Sequence, residues 1–421
     1  MNIWKRLFPR RRGKAGSGLV FALEPDAVSV AFLSALGGDA RITHVERLFA
    51  AQAQGARNDS GIVAEGELER LVSALCQKRG MSMDASYVIA GLDGSLVQSS
   101  MFRAVFEREH PKEKIGEAEL RSMLEKAERS LRSDIESRVS RTMERGLHLI
   151  DSTLEEVLLD GYAVPNPIGL VGKEIEIALF NTYTDTTMME FLRHLQKAFG
   201  ASKLFTATTP YALCRAYMRS ATSPFSGIFV GVGEAATSVS IVAQGRFLGT
   251  KTFSIGRGIF VRSIAEHLRL GGTQAEDLMR QYADGTISKH VERRISNLLL
   301  RASSVWGSGV ELALDEFRGA CELFPSAFYL HGVDTGLKDL AAVLEDAKRF
   351  GGYPFLEKRS VCLLDSAPLT FASEILSADT AEVSRGSCPE VMALAYIFLK
   401  DKQPSGELTK IVQQVSKLAY T

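Results

Sequence analysis

The stretch from Ile228 to Gly245 constrains the fold more than any other part of the sequence. It begins with a buried-type apolar run, IFVGV, and continues with alternating apolar and small polar residues as far as Ala243. This pattern predicts two strands joined by a short turn. Gly231 and Gly233 interrupt the first strand near its end, where glycine lets another strand or a phosphate approach the backbone. The residues alone leave both uses open.

Strand and helix patterns alternate along the rest of the chain in two comparable halves. In the first half, strands are predicted at residues 19–33 (with a turn at 24–26), 41–50, 87–92, 174–180 and 203–208. In the second half, they are predicted at 228–254 and 328–330. Helices are predicted at 66–79, 114–145, 186–200, 210–218, 258–270, 273–282, 291–318, 337–349, 389–399 and 407–420. Such alternation is typical of an α/β architecture.

The composition is that of a soluble globular protein. Of the 421 residues, 45% are hydrophobic and 24% are charged, and the formal net charge is zero, which does not favour nucleic-acid binding. The five cysteines are far apart and the seven histidines have no zinc-binding spacing, so we expect neither disulfides nor a metal site. Because the sequence contains neither a membrane-spanning apolar run nor a signal-peptide core, we expect a cytoplasmic protein.

The first 14 residues concentrate positive charge beside large apolar side chains. They carry six cations and no acid, which leaves 44 basic against 50 acidic side chains in the rest of the chain. On a helix the apolar residues share one face, a pattern typical of segments that fold on an anionic membrane. The residues expected to contact the inner membrane surface are Ile3, Trp4, Lys5, Arg6, Leu7, Phe8, Arg10, Arg11 and Arg12. A disordered basic arm, or a first turn packed on the body, is the alternative.

Two amphipathic segments allow more than one interpretation. Residues 114–145 place apolar side chains at three- and four-residue steps, which predicts one long helix whose charged face is solvated or binds a partner. Residues 407–420 place an apolar stripe between two lysines. That tail is interpreted either as a second, weaker membrane anchor or as core packing.

The hairpins near the start of each half, with a strand–glycine–helix segment late in the second, resemble the actin-like ATPase fold. Within that fold the chain is most similar to the bacterial cell-division protein FtsA family. The resemblance is carried by Pro167-Ile168-Gly169-Leu170-Val171-Gly172, a Pro-x-Gly-(Leu/Met)-x-Gly turn followed by an alternating strand. Segment order agrees over residues 16–400, at low sequence identity. The resemblance implies a two-lobed α/β, actin-like (ribonuclease-H-like) fold with an inserted strand-helix-strand-strand (SHS-two) domain.

The resemblance also implies the domain boundaries. The segments are 1–15 (basic amphipathic membrane-targeting segment), 16–86 (first lobe), 87–182 (inserted domain), 183–222 (rest of the first lobe), 223–264 (second lobe), 265–321 (its helical insertion), 322–400 (rest of the second lobe) and 401–421 (amphipathic tail). In the FtsA family the helical insertion binds the tubulin-like protein FtsZ, so an FtsZ-like partner is implied. No motif in residues 265–321 is specific enough to name the binding residues.

The nucleotide-binding motifs of the family are altered in this chain. At the first phosphate loop Glu24 keeps an acid, but Pro25-Asp26-Ala27 replace the expected glycine and hydroxyl. At the second, an Asp-x-Gly-Gly-Gly-Thr pattern becomes Gly231-Val232-Gly233-Glu234-Ala235-Ala236. The adenosine motif, a triple-glycine turn, keeps only Gly332.

These departures predict a retained fold with a vestigial nucleotide site and no catalytic residues. A phosphate cradle needs free backbone amides and no uncompensated negative charge, and magnesium needs a carboxylate. Glu234 and Asp26 are expected to face the phosphates with like charge unless they hold magnesium from new positions. The vestigial site comprises Glu24, Asp26, Gly231, Gly233, Glu234 and Gly332. No cofactor is expected, and bound ATP with magnesium is the alternative.

The sequence thus predicts an FtsA-like adaptor in cell division, peripheral on the inner membrane surface. It would tie a cytoskeletal, FtsZ-like assembly to the membrane without hydrolysing ATP. A PilM-like adaptor for pilus or secretion assembly and a working actin-like ATPase are the alternatives. Self-association into filaments is compatible with all three, and no nucleic-acid partner is expected.

Overall fold

The computed structural model describes residues 17–25, 27–36, 39–49, 85–139, 147–332, 339–346, 348–364, 369–376 and 388–400, together with 70, 72, 73 and 77. The membrane-targeting segment at 1–15, most of the helix at 66–79 and the tail at 401–421 lie outside these residues, as does Asp26. What the sequence predicts for them stays a prediction.

The elements are numbered in chain order. The strands are β1 (Gly18–Leu23), β2 (Ala27–Leu36), β3 (Asp39–Phe49), β4 (Tyr87–Leu92), β5 (Gln98–Glu107), β6 (Leu147–Leu159), β7 (Tyr162–Ala163), β8 (Glu174–Asp185), β9 (Leu204–Thr208), β10 (Gly227–Val232), β11 (Thr237–Ala243), β12 (Arg246–Phe253), β13 (Ala327–His331) and β14 (Ser360–Leu363). The helices are α1 (Glu117–Val139), α2 (Thr186–Ala198), α3 (Thr209–Ser220), α4 (Gly258–Leu268), α5 (Gly272–Ala283), α6 (Lys289–Asp315), α7 (Asp339–Glu345) and α8 (Pro389–Lys400).

Two five-stranded sheets repeat one topology. The first has the order β3-β2-β1-β4-β9 and the second β12-β11-β10-β13-β14. In each sheet a meander of three antiparallel strands is followed by two parallel ones, with β1 beside β4 and β10 beside β13. Since the carboxyl ends of parallel strands meet at one edge, each sheet gathers its strand-end residues there. The two-halved α/β prediction is confirmed.

The central strands are apolar because both of their faces are covered. Every residue of β1, β4 and β10 is buried, as expected for strands of the parallel type. In the second half the core surrounds Trp306 on α6, which is fully buried. Its indole Nε1 donates to the Thr237 hydroxyl at 3.0 Å, so the buried polar end of the ring is satisfied.

A third sheet has the strand order β5-β8-β6-β7. Along the chain, helix α1 lies between β5 and β6. Its core is apolar and includes Leu120 and Leu124 of α1 and Ile175 and Ile177 of β8. The predicted helix at 114–145 is observed only from Glu117 to Val139, and residues 140–146 are outside the described part.

The turn at Pro167–Gly172 is held by hydrogen bonds from other elements. The buried guanidinium of Arg108 binds Glu119 through two hydrogen bonds, of 2.7 and 2.9 Å, and donates to the Gly172 carbonyl at 2.9 Å. Ile115 exchanges backbone hydrogen bonds of 2.9 Å with Gly169 and Leu170. The side chains of Leu170 and Val171 nevertheless remain exposed. The turn is therefore a fixed part of the third sheet.

The compact units of the chain are Val97–Arg193, which contains the third sheet, and Ser17–Leu96 with His194–Leu399, which contains the two five-stranded sheets. Helix α2 crosses the boundary in sequence. None of the helices in the described part combines the length and apolarity needed to cross a bilayer.

Candidate functional site

The five predicted site residues that the structure describes lie at the strand ends of the two five-stranded sheets. Glu24 follows β1, Gly231 lies within β10, Gly233 and Glu234 follow β10, and Gly332 follows β13. Each strand lies at or next to the centre of its sheet, so these residues leave from the middle of the edge. Strand-end positions of this kind are where α/β folds bind ligands.

The turn between β1 and β2 holds the Glu24 carboxyl group in a nearly buried position. The Glu24 amide donates to the Ala27 carbonyl at 2.9 Å and closes the turn. Arg47 of β3 donates from Nη2 to Glu24 Oε2 at 2.8 Å, with both side chains nearly buried. The acid that the family places at a phosphate loop is thus paired with an arginine of the same sheet.

Gly231 accommodates a side chain from the neighbouring strand. A β-carbon at this position would lie 2.6 Å from Cε1 and 2.7 Å from Nε2 of His331. Parallel pairing sets Gly231 directly beside His331 of β13. Of the two uses of glycine left open by the sequence, close approach within the sheet is the one observed here.

Glu234 is paired with the helix that follows the hairpin. Arg257, the N-cap of α4, binds Glu234 Oε2 through Nε at 3.0 Å. The Arg257 amide donates to the Gly233 carbonyl at 2.8 Å, and the Gly258 amide to the Glu234 carbonyl at 2.9 Å. Helix N-terminal amides are the groups that bind phosphate in nucleotide sites. In this chain the hairpin turn accepts their hydrogen bonds.

Gly332 is needed for backbone reasons. Its φ is +76°, and a β-carbon there would collide with the Val232 carbonyl oxygen. Only glycine adopts this conformation at little cost. Gly332 therefore lets β13 leave the sheet beside β10.

A buried ion pair that the sequence reasoning missed lies at the same strand ends. His331 Nδ1 and Glu390 Oε1, in the first turn of α8, are 2.6 Å apart. Both side chains are less than a tenth exposed. The available signal was one glutamate at the start of an otherwise apolar helix, PEVMALAYIF.

Asp93, which follows β4, reaches from the first sheet to the second. Its Oδ1 accepts from the Ser95 amide at 2.9 Å and from the Ser95 hydroxyl at 2.6 Å. A β-carbon on Gly233 would lie 3.6 Å from Oδ1 of Asp93. The second hairpin therefore has a carboxylate, rather than a free amide cradle, as its neighbour.

Burial and mutual repulsion perturb these carboxyl groups strongly. Burial raises the pKa of Glu24 to about 8, with Glu390 and Asp93 adding to the effect and Arg47 opposing it. Burial also raises the pKa of Asp93. For Glu390, burial acts upward, but the hydrogen bond and charge of His331 outweigh it and lower the pKa to about 2. Negative charge therefore resides on Glu390, and Glu24 keeps its proton at neutral pH.

Among the described residues, two carboxyl oxygen atoms at the strand ends are buried without a hydrogen-bond partner. Glu24 Oε1 and Glu390 Oε2 are buried and receive no hydrogen bond within the described structure. A phosphate is itself negatively charged, so the Glu390 carboxylate repels it. Across the described ranges, no three His, Cys, Asp or Glu side chains are arranged to hold a metal ion.

Comparison with solved structures identifies the fold as actin-like. A PilM–PilN type IV pilus biogenesis complex matches with a TM-score of 0.61 at 13% identity, covering 93% of this chain and 100% of that one. The ethanolamine utilization protein EutJ of Carboxydothermus hydrogenoformans matches at 0.44 and 10% identity, covering 91% of each chain. MreB5 of Spiroplasma citri bound to AMPPNP matches at 0.44 and 12% identity, covering 94% of this chain and 98% of that one.

Sequence comparisons add no family. No protein-family model matches the chain, and no curated protein sequence matches it. The resemblance to the FtsA family in particular stays a prediction. At 13% identity, the match to the pilus protein shows only that the two chains share a fold. This chain has the actin-like ATPase fold.

Proposed function

We propose that this chain is an actin-like adaptor that does not hydrolyse ATP. The observation that carries the proposal is that acidic side chains at the strand ends are bound by basic side chains of the same chain. Glu24 binds Arg47, Glu234 binds Arg257, and Glu390 binds His331. A triphosphate would have to displace these pairs and the hydrogen bonds of the α4 N-terminus, and it would then meet the carboxylates of Glu234 and Glu390 without their partners.

Nucleotide titration of the full-length chain tests this proposal. We expect no binding heat with Mg-ATP or Mg-ADP in isothermal titration, and no phosphate release above the buffer rate. An actin-like ATPase with intact loops serves as the positive control. Micromolar affinity together with phosphate release would contradict the proposal, whereas affinity without release would make ATP a structural ligand of the adaptor.

The adaptor is proposed to act on the inner membrane surface. The support is the N-terminal composition, in which six cations lie beside Trp4 and Phe8. Deleting residues 2–12 should abolish co-sedimentation with anionic liposomes, because both charge and apolar insertion are lost. Zwitterionic liposomes and a deletion of 401–421 are the matched controls. Unchanged binding after the first deletion would exclude this anchor.

Two partner classes are distinguished by different observations. An FtsZ-like filament protein is favoured by the Pro167–Gly172 turn on which the FtsA resemblance depends. A pilus-type membrane protein is favoured by the match to the PilM–PilN complex over nearly the whole length of both chains. We rank the pilus-type partner first, because that match covers 93% of this chain and 100% of the other.

Purified partners decide between the two. Fluorescence polarisation of the full-length chain would be measured against the cytoplasmic peptide of a PilN-type protein and against an FtsZ carboxyl-terminal peptide, both from the organism that encodes this chain. We expect saturable binding of the first alone. Binding of the FtsZ peptide alone would reverse the ranking, and binding of neither would remove both partner classes while leaving the nucleotide result intact.

A further inference from the structure

Strand β5 forms an open edge of the third sheet. It has ten residues, and within the described structure it pairs only with β8, from Gln98 opposite Tyr183 to Glu107 opposite Glu174. Its sequence, QSSMFRAVFE, contains no proline, and its register has no bulge. Edge strands are normally protected by such features, because their free backbone groups are templates for another strand.

The backbone register shows which residues of β5 face outward. The Arg108 amide donates to the Lys173 carbonyl of the segment that enters β8 at 2.9 Å. Backbone groups alternate along a strand, so even-numbered residues bond to β8 and odd-numbered residues direct N–H and C=O to the open edge. The odd-numbered side chains lie on the face opposite α1, where Arg103 is bound to Glu176 at 2.6 Å and Val105 is 56% exposed.

This edge is complementary to itself. Two antiparallel copies can be aligned with Val105 opposite Val105 of the second copy. Arg103 then lies opposite Glu107 of the second copy, and the same pair repeats on the other side of the axis. On the α1 face, Ala104 meets Phe106 of the second copy, whose ring is only partly covered within one chain. Apolar and opposite-charge pairs directly across a ladder are the stabilising ones.

We propose that two copies of this chain associate through β5, with a two-fold axis at Val105 that joins their four-stranded sheets into one continuous sheet. In this register residues 103–107 of the two β5 strands face each other. Each copy uses the same edge segment, so the association closes at the dimer and does not propagate. It goes beyond the adaptor function and does not depend on it, since no group of the strand-end site is used.

Sedimentation velocity of the full-length chain over a concentration series tests the interface. We expect a dimer for the natural chain. Val105→Lys sets two cations opposite each other at the axis and should weaken the dimer at least tenfold. Tyr162→Lys, at a 78% exposed position on β7 of the same sheet, is the matched control and should leave it unchanged. A natural chain that is monomeric throughout, or a dimer unaffected by Val105→Lys, would overturn the proposal.

Two further measurements test the register. Glu107→Arg and Arg103→Glu should each be monomeric alone and should form a mixed dimer when combined, since opposite charges then face each other. Arg103→Glu also removes ion pairs of Arg103 with Glu156 and Glu176 within the chain, so a loss of the dimer in this variant has two explanations.

Cysteine cross-linking therefore provides an independent test of the register. Residues at a hydrogen-bonded antiparallel pair have α-carbons about 5.5 Å apart, within disulfide range. Val105→Cys should give an oxidised dimer and Met101→Cys should not; equal yields would refute this register.

Discussion

Replacing Glu24 by glutamine tests the electrostatics of the strand-end site. Burial raises the pKa of Glu24 from 4.5 to about 8 even though Arg47 lies 2.8 Å away. Between these two pKa values the unfolded chain loses its proton and the folded chain does not, so the folded state loses stability as pH rises. The interval corresponds to about 4 to 5 kcal/mol at 1.36 kcal/mol per pKa unit. Glutamine does not ionise and still accepts from Arg47, so Glu24→Gln removes this loss.

The free energy of unfolding is the quantity to measure. In a Trp4→Phe background, Trp306 is the remaining tryptophan and reports on the unit that contains Glu24. Urea unfolding at pH 5 should show a small advantage for Glu24→Gln, which grows to about 4 kcal/mol at pH 8. Glu109→Gln, at an exposed position, is the control. A difference between variant and natural chain that does not change from pH 5 to pH 8 would refute the reasoning.

Three further substitutions should destabilise the fold, each at a different place and for a different reason. Glu390→Gln should lower the free energy of unfolding by about 3 kcal/mol at neutral pH and leave it unchanged near pH 2. His331 lowers the pKa of Glu390 from 4.5 to about 2, so the Glu390 carboxylate stabilises the folded state fully above pH 4.5 and not at all below pH 2. Urea unfolding across that pH range measures the difference. Gly231→Ala should destabilise by about 1 to 3 kcal/mol through overlap with the His331 ring, whereas Gly116→Ala, which has open space, should cost less in thermal unfolding. Arg108→Met should cost about 3 to 5 kcal/mol, because it leaves Glu119 and two carbonyls without their donor, and it should speed hydrogen exchange in the Pro167–Gly172 turn.

Elements with one clear hydrophobic period were predictable from the sequence. Strand β4 was predicted at Tyr87–Leu92 and is observed there, and the predicted hairpin at 228–245 forms β10 and β11. Strand β6 is not predicted from the sequence, and the connection predicted from residue 158 begins inside it. Register shifts between Leu149 and Asp151 and between Leu154 and Glu156 break the alternation that would identify this strand. The four-residue β14 was missed because so short a strand depends on its neighbour β13.

The candidate site was predictable as positions along the chain but not as a network. Glu24, Gly233 and Gly332 follow strands, and strand-end patterns identify such residues. Their surroundings were not predictable, because Arg47 and Glu390 come from elements whose packing is decided by the whole fold. Like charge facing a phosphate was expected at Glu234, and the structure pairs this residue with Arg257. A residue's type indicated its charge, whereas tertiary packing decided its partner.

The hydrogen bonds between the β10–β11 turn and the N-terminus of α4 limit how this protein can change. A substitution of Glu234 removes its carboxylate but not its backbone carbonyl. The Arg257 and Gly258 amides would still donate to the carbonyl groups of residues 233 and 234. Gly258 itself lies so close that a β-carbon there would stand 2.8 Å from Glu234 Oε1. A variant designed to bind a phosphate at this turn would therefore have to move the helix as well as lose the acid.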